Sequence, residues 1–137
     1  MIFVDTSVFY ARLAEDDVNH RAADEFFRNN SAPLVTTREV VFESHALMLR
    51  VSRARPTANM DPAAQRFLQT IDAGLARVIL ATEADHAAAR RIVDANRDKD
   101  YSLCDALSFA VMERLGITQA ASFDRHFRQY GRFTILP

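Results

Sequence analysis

The sequence holds one cysteine, one lysine and no tryptophan among 137 residues. A lone Cys104 cannot close an internal disulfide, and no second cysteine stands at zinc-ligand spacing. No apolar run is long enough to cross a bilayer, and Met1 leads into IFVD without the basic segment of a secretory leader. A cytoplasmic protein with no membrane contact is therefore expected. Charge of one sign is missing too. The formal net charge is −1, so the composition lacks the strong basic excess common in nucleic-acid-binding domains. The four histidines, His20, His45, His86 and His126, show no H-E-x-x-H or related spacing, and each is expected to be solvated. No repeat, linker or low-complexity tract breaks the chain. With 49% hydrophobic residues, residues 1–137 are expected to form a single domain burying roughly two-thirds of its unfolded surface.

What is present alternates. Short apolar runs at IFV (2–4), LVT (34–36), VILA (78–81), QAAS (119–122) and FTIL (133–136) read as strands. Helical periodicity fills the spaces between them. One segment follows DTS and reaches Arg28 with a break near Glu15 to Asp17; others cover about 37–52, 62–73, 83–96 and 103–115. Gly74 and Gly116 stand where a helix must end before a strand, as left-handed caps. This order predicts an α/β fold with a mainly parallel sheet covered on both faces.

Ligands of open parallel sheets bind beyond the carboxyl ends of the strands. Asp5 follows IFV at once, Asp124 follows QAAS, Glu43 lies about two turns into the helix after LVT, and Asp105 lies in the first turn after Ser102. Three of the four have a plain structural use. Asp5 and Asp124 suit helix N-caps, and Ser102 with Asp105 outlines a capping box. Glu43 has none, because it falls on the stripe Val40, Leu47, Val51 with Val41, Met48 and Leu49, which predicts an inward-facing acid. An unpaired buried charge costs several kcal/mol, so Glu43 needs a buried arginine or a cation. Crowded carboxylates repel unless a cation offsets them, and an all-oxygen cluster suits Mg²⁺ or Mn²⁺ better than zinc. Cys104 has no paired base and reads as a small buried residue, not a nucleophile.

Four segments in order, VDTSVFYA, PLVTTREVVFES, DKDYSLCDALSFAVMERLGI and SFDRHFRQYGRFTILP, give the chain its resemblance to the PIN-domain ribonucleases. It most closely resembles the VapC-type toxins of bacterial and archaeal toxin-antitoxin pairs. The resemblance runs nearly end to end. It implies a three-layer sandwich around a five-stranded parallel sheet, Mg²⁺ or Mn²⁺ dependence, RNA cleavage leaving 5′-phosphate ends, homodimerisation, and neutralisation by a cognate antitoxin. By position it places the catalytic, metal-binding acids at Asp5, Glu43, Asp105 and Asp124. Thr6, Ser7, Asp100, Ser102 and Ser122 would support them. Arg38 is a less familiar residue in the segment before Glu43.

Nearly all basic residues are arginine, grouped at Arg50, Arg53 and Arg55 and again at Arg90, Arg91 and Arg97 with Lys99. Arginine suits bidentate phosphate contact, and Arg53 and Arg55 are expected to hold the RNA backbone. Apolar residues Phe9, Leu13, Phe42, Ala46 and Leu49 are expected to leave an uncovered groove for an antitoxin segment and a second copy of the chain. Rival readings fit less well. A haloacid-dehalogenase-type phosphatase needs a second aspartate where Ser7 stands, and a receiver domain needs a lysine late in the chain, after Asp105, whereas Lys99 precedes it. A non-catalytic PIN module or a housekeeping RNA-processing nuclease remains as an alternative.

Overall fold

The computed structural model describes residues 1–54 and 60–137. Five strands run β1 Ile2–Val4, β2 Leu34–Thr37, β3 Arg77–Ile79, β4 Gln119–Ala121 and β5 Thr134–Leu136. Among them lie α1 Thr6–Leu13, α2 His20–Asn29, α3 Arg38–Ala54, α4 Met60–Asp72, α5 Glu83–Ala95, α6 Leu103–Leu115 and α7 Arg125–Tyr130. All five strands are parallel in the order β3-β2-β1-β4-β5, with Ile2 opposite Leu34 and Val4 opposite Ala121. The chain steps outward from β1 to β2 to β3, then crosses back to β4 and on to β5. Right-handed crossovers therefore lay α1 to α4 over one face and α5 to α7 over the other. Packing agrees, since α1 touches α2, α3 and α4 while α5 packs on α6. No helix among the described residues is long and apolar enough to cross a membrane.

The strands are short and apolar because both faces are covered. Phe3, Val4, Val35, Ala120 and Ala121 are almost wholly buried. On one face Phe9 stacks on Phe27 at 6.1 Å and meets Phe67 at a tilt at 5.2 Å. On the other, Phe109 of α6 meets Phe127 of α7 edge-on at 4.9 Å, and Phe127 stacks on Phe3 at 6.3 Å. Helix ends follow their residues: Thr82 and Asp85 form one capping box, Ser102 and Asp105 another, and Gly116 closes α6 at φ +64°. Asp85 also binds Arg114 through two hydrogen bonds of 2.7 and 2.8 Å, fastening α5 to α6.

Two expectations need correction, and one helix goes unforeseen. Helix α7 is not foreseen by periodicity, since six residues between the Asp124 cap and Gly131 are too few to show a period. Glu43 does not face the core. The buried side of α3 is Val40, Val41, Ser44, Met48 and Ser52, and Glu43 lies exposed on the neighbouring face. Phe9 belongs to the core at 1% exposure and only floors, with Leu13, a small cleft of about 130 Å³, whereas Phe42 stands 66% exposed.

Candidate active site

The sheet reverses its winding direction between β1 and β4, the place where parallel sheets open a crevice at their carboxyl ends. A cleft of about 400 Å³ opens there, lined by Asp5, Thr6, Ser7, Glu43, Ala46, Leu47, Arg50, Ser102, Asp105, Asp124 and His126. The four acids named from sequence thus share one cleft. Asp5 leaves β1 in extended backbone, its N–H donating to Ala121 of β4 at 3.1 Å. Asp124 plays the same part after β4, capping α7 as Asp5 caps α1.

Each acid is held by one oxygen. Asp5 Oδ2 accepts from the Ser7 N–H at 3.2 Å, the Ser7 hydroxyl at 2.7 Å and the Ser122 hydroxyl at 3.0 Å. Glu43 Oε2 accepts from the Thr6 hydroxyl at 2.5 Å, and Thr6 in turn accepts from Ser44. Asp105 Oδ2 accepts from the Ser102 N–H at 3.0 Å. Asp124 Oδ1 accepts from the His126 N–H at 2.8 Å. For Asp5, Asp105 and Asp124 no donor among the described residues reaches the other oxygen. Capping and cleft-lining are therefore compatible, because one oxygen closes a helix end while its partner remains for a ligand. Ser7 and Ser122 tie the two strand ends together: Ser7 Oγ accepts from the Phe123 N–H at 2.9 Å, and Ser122 Oγ from the Asp124 N–H at 3.0 Å.

Burial pushes the Asp5 carboxyl up to about 6, the nearby Asp105 charge adds to the rise, and the Ser7 and Ser122 hydrogen bonds oppose it. The Cys104 thiol is driven upward by burial, with Glu43, Asp5 and Asp105 adding to the rise, so it stays protonated and is no nucleophile. A divalent cation fits this donor set. The free oxygens are hard carboxylate ligands, and a positive charge would offset the burial and, after it, the Asp105 repulsion that raise Asp5. Asp105, Asp124 and His126 offer ligand atoms all within 4.8 Å of one another.

Other sequence-named residues lie apart. Asp100 is exposed, with left-handed backbone at φ +57°, and does not line the cleft. Arg53 is exposed in the last turn of α3 and is not among the lining residues, while Arg55 lies outside the described residues. Two lining residues, Arg50 and His126, were not assigned to the site from sequence, although Arg50 was named in the arginine group. Arg50 shares the face of Glu43 seven positions on, a spacing of two helical turns. His126, expected to be solvated, has a side chain only 14% exposed against Asp105.

A parallel sheet with this winding, carrying acids at the ends of β1 and β4 and on α3 and α6, is a PIN-type nuclease fold. The chain belongs to the PIN-domain family, whose model matches residues 2–133. It is 32% identical over 137 residues to the 23S rRNA-specific endonuclease VapC20 of Mycobacterium tuberculosis, covering 100% of this chain and 99% of that protein. That relative carries the match into the VapC-type toxins, and the chain is one of these ribonucleases. The crystal structure of the same VapC20, described as a Sarcin-Ricin loop cleaving toxin, superposes with a TM-score of 0.87 at 28% identity over the full length of both chains. PAE2754 from Pyrobaculum aerophilum shares the fold, with a TM-score of 0.67 at 15% identity over 98% of this chain and 81% of that one.

Proposed function

We propose that this chain, acting as a single PIN domain, is an Mg²⁺- or Mn²⁺-dependent endoribonuclease toxin that cuts ribosomal RNA in the cytoplasm. The observation that carries this reading is the convergence of Asp5, Glu43, Asp105 and Asp124 on one cleft, with Asp5, Asp105 and Asp124 each keeping one oxygen without a donor among the described residues. Those four residues would hold the cation. The chemistry it supplies when bound is Lewis-acid activation of water and neutralisation of charge on the phosphate.

The chain's own residues do the rest. Ser7 and Ser122 fix Asp5, Thr6 fixes Glu43, and Ser102 fixes Asp105, so the carboxylates are oriented before RNA arrives. An acidic cleft repels bare phosphate, and a cationic side chain is needed to hold the backbone. Arg50 meets that need. It is exposed, lines the cleft, and forms no ion pair with any described acid. It stands about 10 Å along α3 from Glu43, far enough to engage a phosphate one or two nucleotides from the cut. Water attack on the phosphodiester would leave 5′-phosphate and 3′-hydroxyl ends without using the 2′-hydroxyl.

Full-length similarity to a protein named for 23S rRNA supports that RNA, and its Sarcin-Ricin loop, as the substrate. Membership of the VapC type supports a cognate antitoxin and a homodimer as partners. The rim beside Glu43 suits such a partner: exposed Phe42 and half-buried Leu47 offer apolar contact next to acids that a basic side chain could fill. Incubating the purified protein with 23S rRNA in Mg²⁺, and separately in chelator, tests the reading. A discrete 5′-phosphate cut in the Sarcin-Ricin loop, lost with chelator, is expected; intact RNA in both reactions would overturn it.

A further inference from the structure

His126 occupies the second position of α7, where its backbone N–H is bonded to Asp124. From there the ring turns back over the cleft wall. Nδ1 lies 3.0 Å from Asp105 Oδ2 and 3.6 Å from Asp124 Oδ1. An ionised carboxylate only accepts, so Nδ1 carries the hydrogen and donates to Asp105. The opposite edge of the ring is closed off. Nε2 is buried and meets no hydrogen-bond partner among the described residues, and Tyr101 packs T-shaped against the imidazole at 5.4 Å.

An imidazole that served only as solvated surface would turn Nε2 toward water. This one leaves a polar atom unsatisfied, at a cost, in order to stand between two acids. Asp105 Oδ2 therefore has two donors, Ser102 N–H and His126 Nδ1–H, and its Oδ1 has none among the described residues. The aromatic packing behind the ring explains its fixed orientation, since Tyr101 is itself wedged edge-on against Phe109 at 5.5 Å.

We propose that His126 is a positioning residue of this centre: by donating from Nδ1 to Asp105 it fixes that carboxylate beside Asp124, whose own carboxylate is capped by the His126 backbone N–H. Its use in RNA cleavage rests on the nuclease reading; its effect on cation affinity does not. Without the ring, Asp105 keeps the Ser102 bond but loses its second restraint. A bound cation must then order the Asp105 carboxylate itself, while Asp124 keeps its backbone cap, so affinity weakens and is not abolished.

The test compares full-length wild type with His126→Ala, His126→Asn and His126→Gln. Asparagine presents an amide near the place of Nδ1, and glutamine near that of Nε2. Mn²⁺ binding without RNA is read by calorimetry, and kcat and KM for RNA are read across a Mn²⁺ titration. His126→Ala should bind Mn²⁺ roughly 10- to 100-fold more weakly, regain most of its cleavage rate at saturating Mn²⁺, and keep its KM for RNA. His126→Asn should recover most of the affinity and His126→Gln should not, a contrast that stands even if the alanine variant does not fold. Wild-type Mn²⁺ affinity in a folded His126→Ala protein, or equal affinities for the Asn and Gln variants, overturns the proposal. So does a nitrogen coordinated directly to Mn²⁺ in pulsed electron paramagnetic resonance, which would make His126 a ligand. Wild-type protein that binds Mn²⁺ but leaves RNA uncut would overturn the nuclease reading instead, and the Mn²⁺ comparison would still decide the role of His126.

Discussion

Ser122 donates its hydroxyl to Asp5 across a separation of 117 positions in the chain, at 3.0 Å in a fully buried setting. The contact exists because β1 and β4 are neighbours, with Val4 opposite Ala121. One hydroxyl thus serves two acids, donating to Asp5 and accepting from the backbone of Asp124. Replacing Ser122 by Ala removes both bonds and leaves Asp5 on Ser7 alone. Activity at limiting Mn²⁺ should fall roughly 10- to 100-fold, with part of the loss restored by excess metal. A Mn²⁺ titration of the cleavage rate measures this.

Asp5 bears on stability as well as on chemistry. Its carboxyl lies at about 6 in the folded chain against 3.8 ordinarily, through burial first and the Asp105 charge after it. Between these values the native state holds a proton that the unfolded chain has lost. Stability of the chelated protein should therefore fall as pH rises from about 4 to about 6 and level off above. Asp5→Asn removes the ionisation, so in chelator near neutral pH its Tm should exceed that of wild type. The advantage should vanish near pH 4. Thermal melts of both proteins across this range check the sign.

The Asp85–Arg114 pair should behave in the opposite sense. The Arg114 hydrogen bonds, with Thr82 assisting, hold the Asp85 carboxyl down at about 2 against 3.8 ordinarily. A depressed carboxyl contributes stability that is present above the unfolded value and lost as pH falls through the folded one. Arg114 is partly exposed, at 37% of its side chain, and solvent screening limits the contribution to about 1–2 kcal/mol. Asp85→Asn should lose that amount at neutral pH, and the deficit should close between about pH 4 and about pH 2. Urea unfolding at several pH values reads it.

Arg50 predicts a salt effect. If it binds phosphate, Arg50→Ala should weaken RNA binding in Ca²⁺ and reduce the slope of log affinity against log salt by about 0.7 to 1. Arg53→Ala, at the exposed end of α3 outside the cleft lining, should change the slope less. Equal effects from the two variants would remove Arg50 from its assigned place.

Much of this was legible from the residues. The strands show as short apolar runs because both faces of the sheet are covered, and the caps show because Asp5, Ser102 and Asp124 each precede a helix. The acids were legible as a set because strand ends converge in a parallel sheet. The orientation of Glu43 was not. Residues 40, 44 and 48 face the core while 43, 47 and 50 lie on the next strip, and Leu47 at half burial blurs the border between them. The same shift of face hid Arg50 and drew attention to Arg53. His126 gave no spacing signal, since its partners Asp105 and Asp124 come from separate elements. The one available hint was its place two residues after a capping aspartate, where a side chain at the start of a helix can turn back over the strand ends.

If the four carboxylates of the cleft make this chain a metal-dependent ribonuclease, cleavage must depend on Asp5 and Asp105. The most direct measurement is the Mg²⁺-dependent cleavage rate of a Sarcin-Ricin loop RNA by wild type, Asp5→Asn and Asp105→Asn, each first checked for folding by thermal melt. The wild type should cut at a discrete position, and both variants should be slower by roughly 10³-fold, equivalent to several kcal/mol of transition-state stabilisation. Folded Asp5→Asn and Asp105→Asn proteins that cut at the wild-type rate would contradict the account.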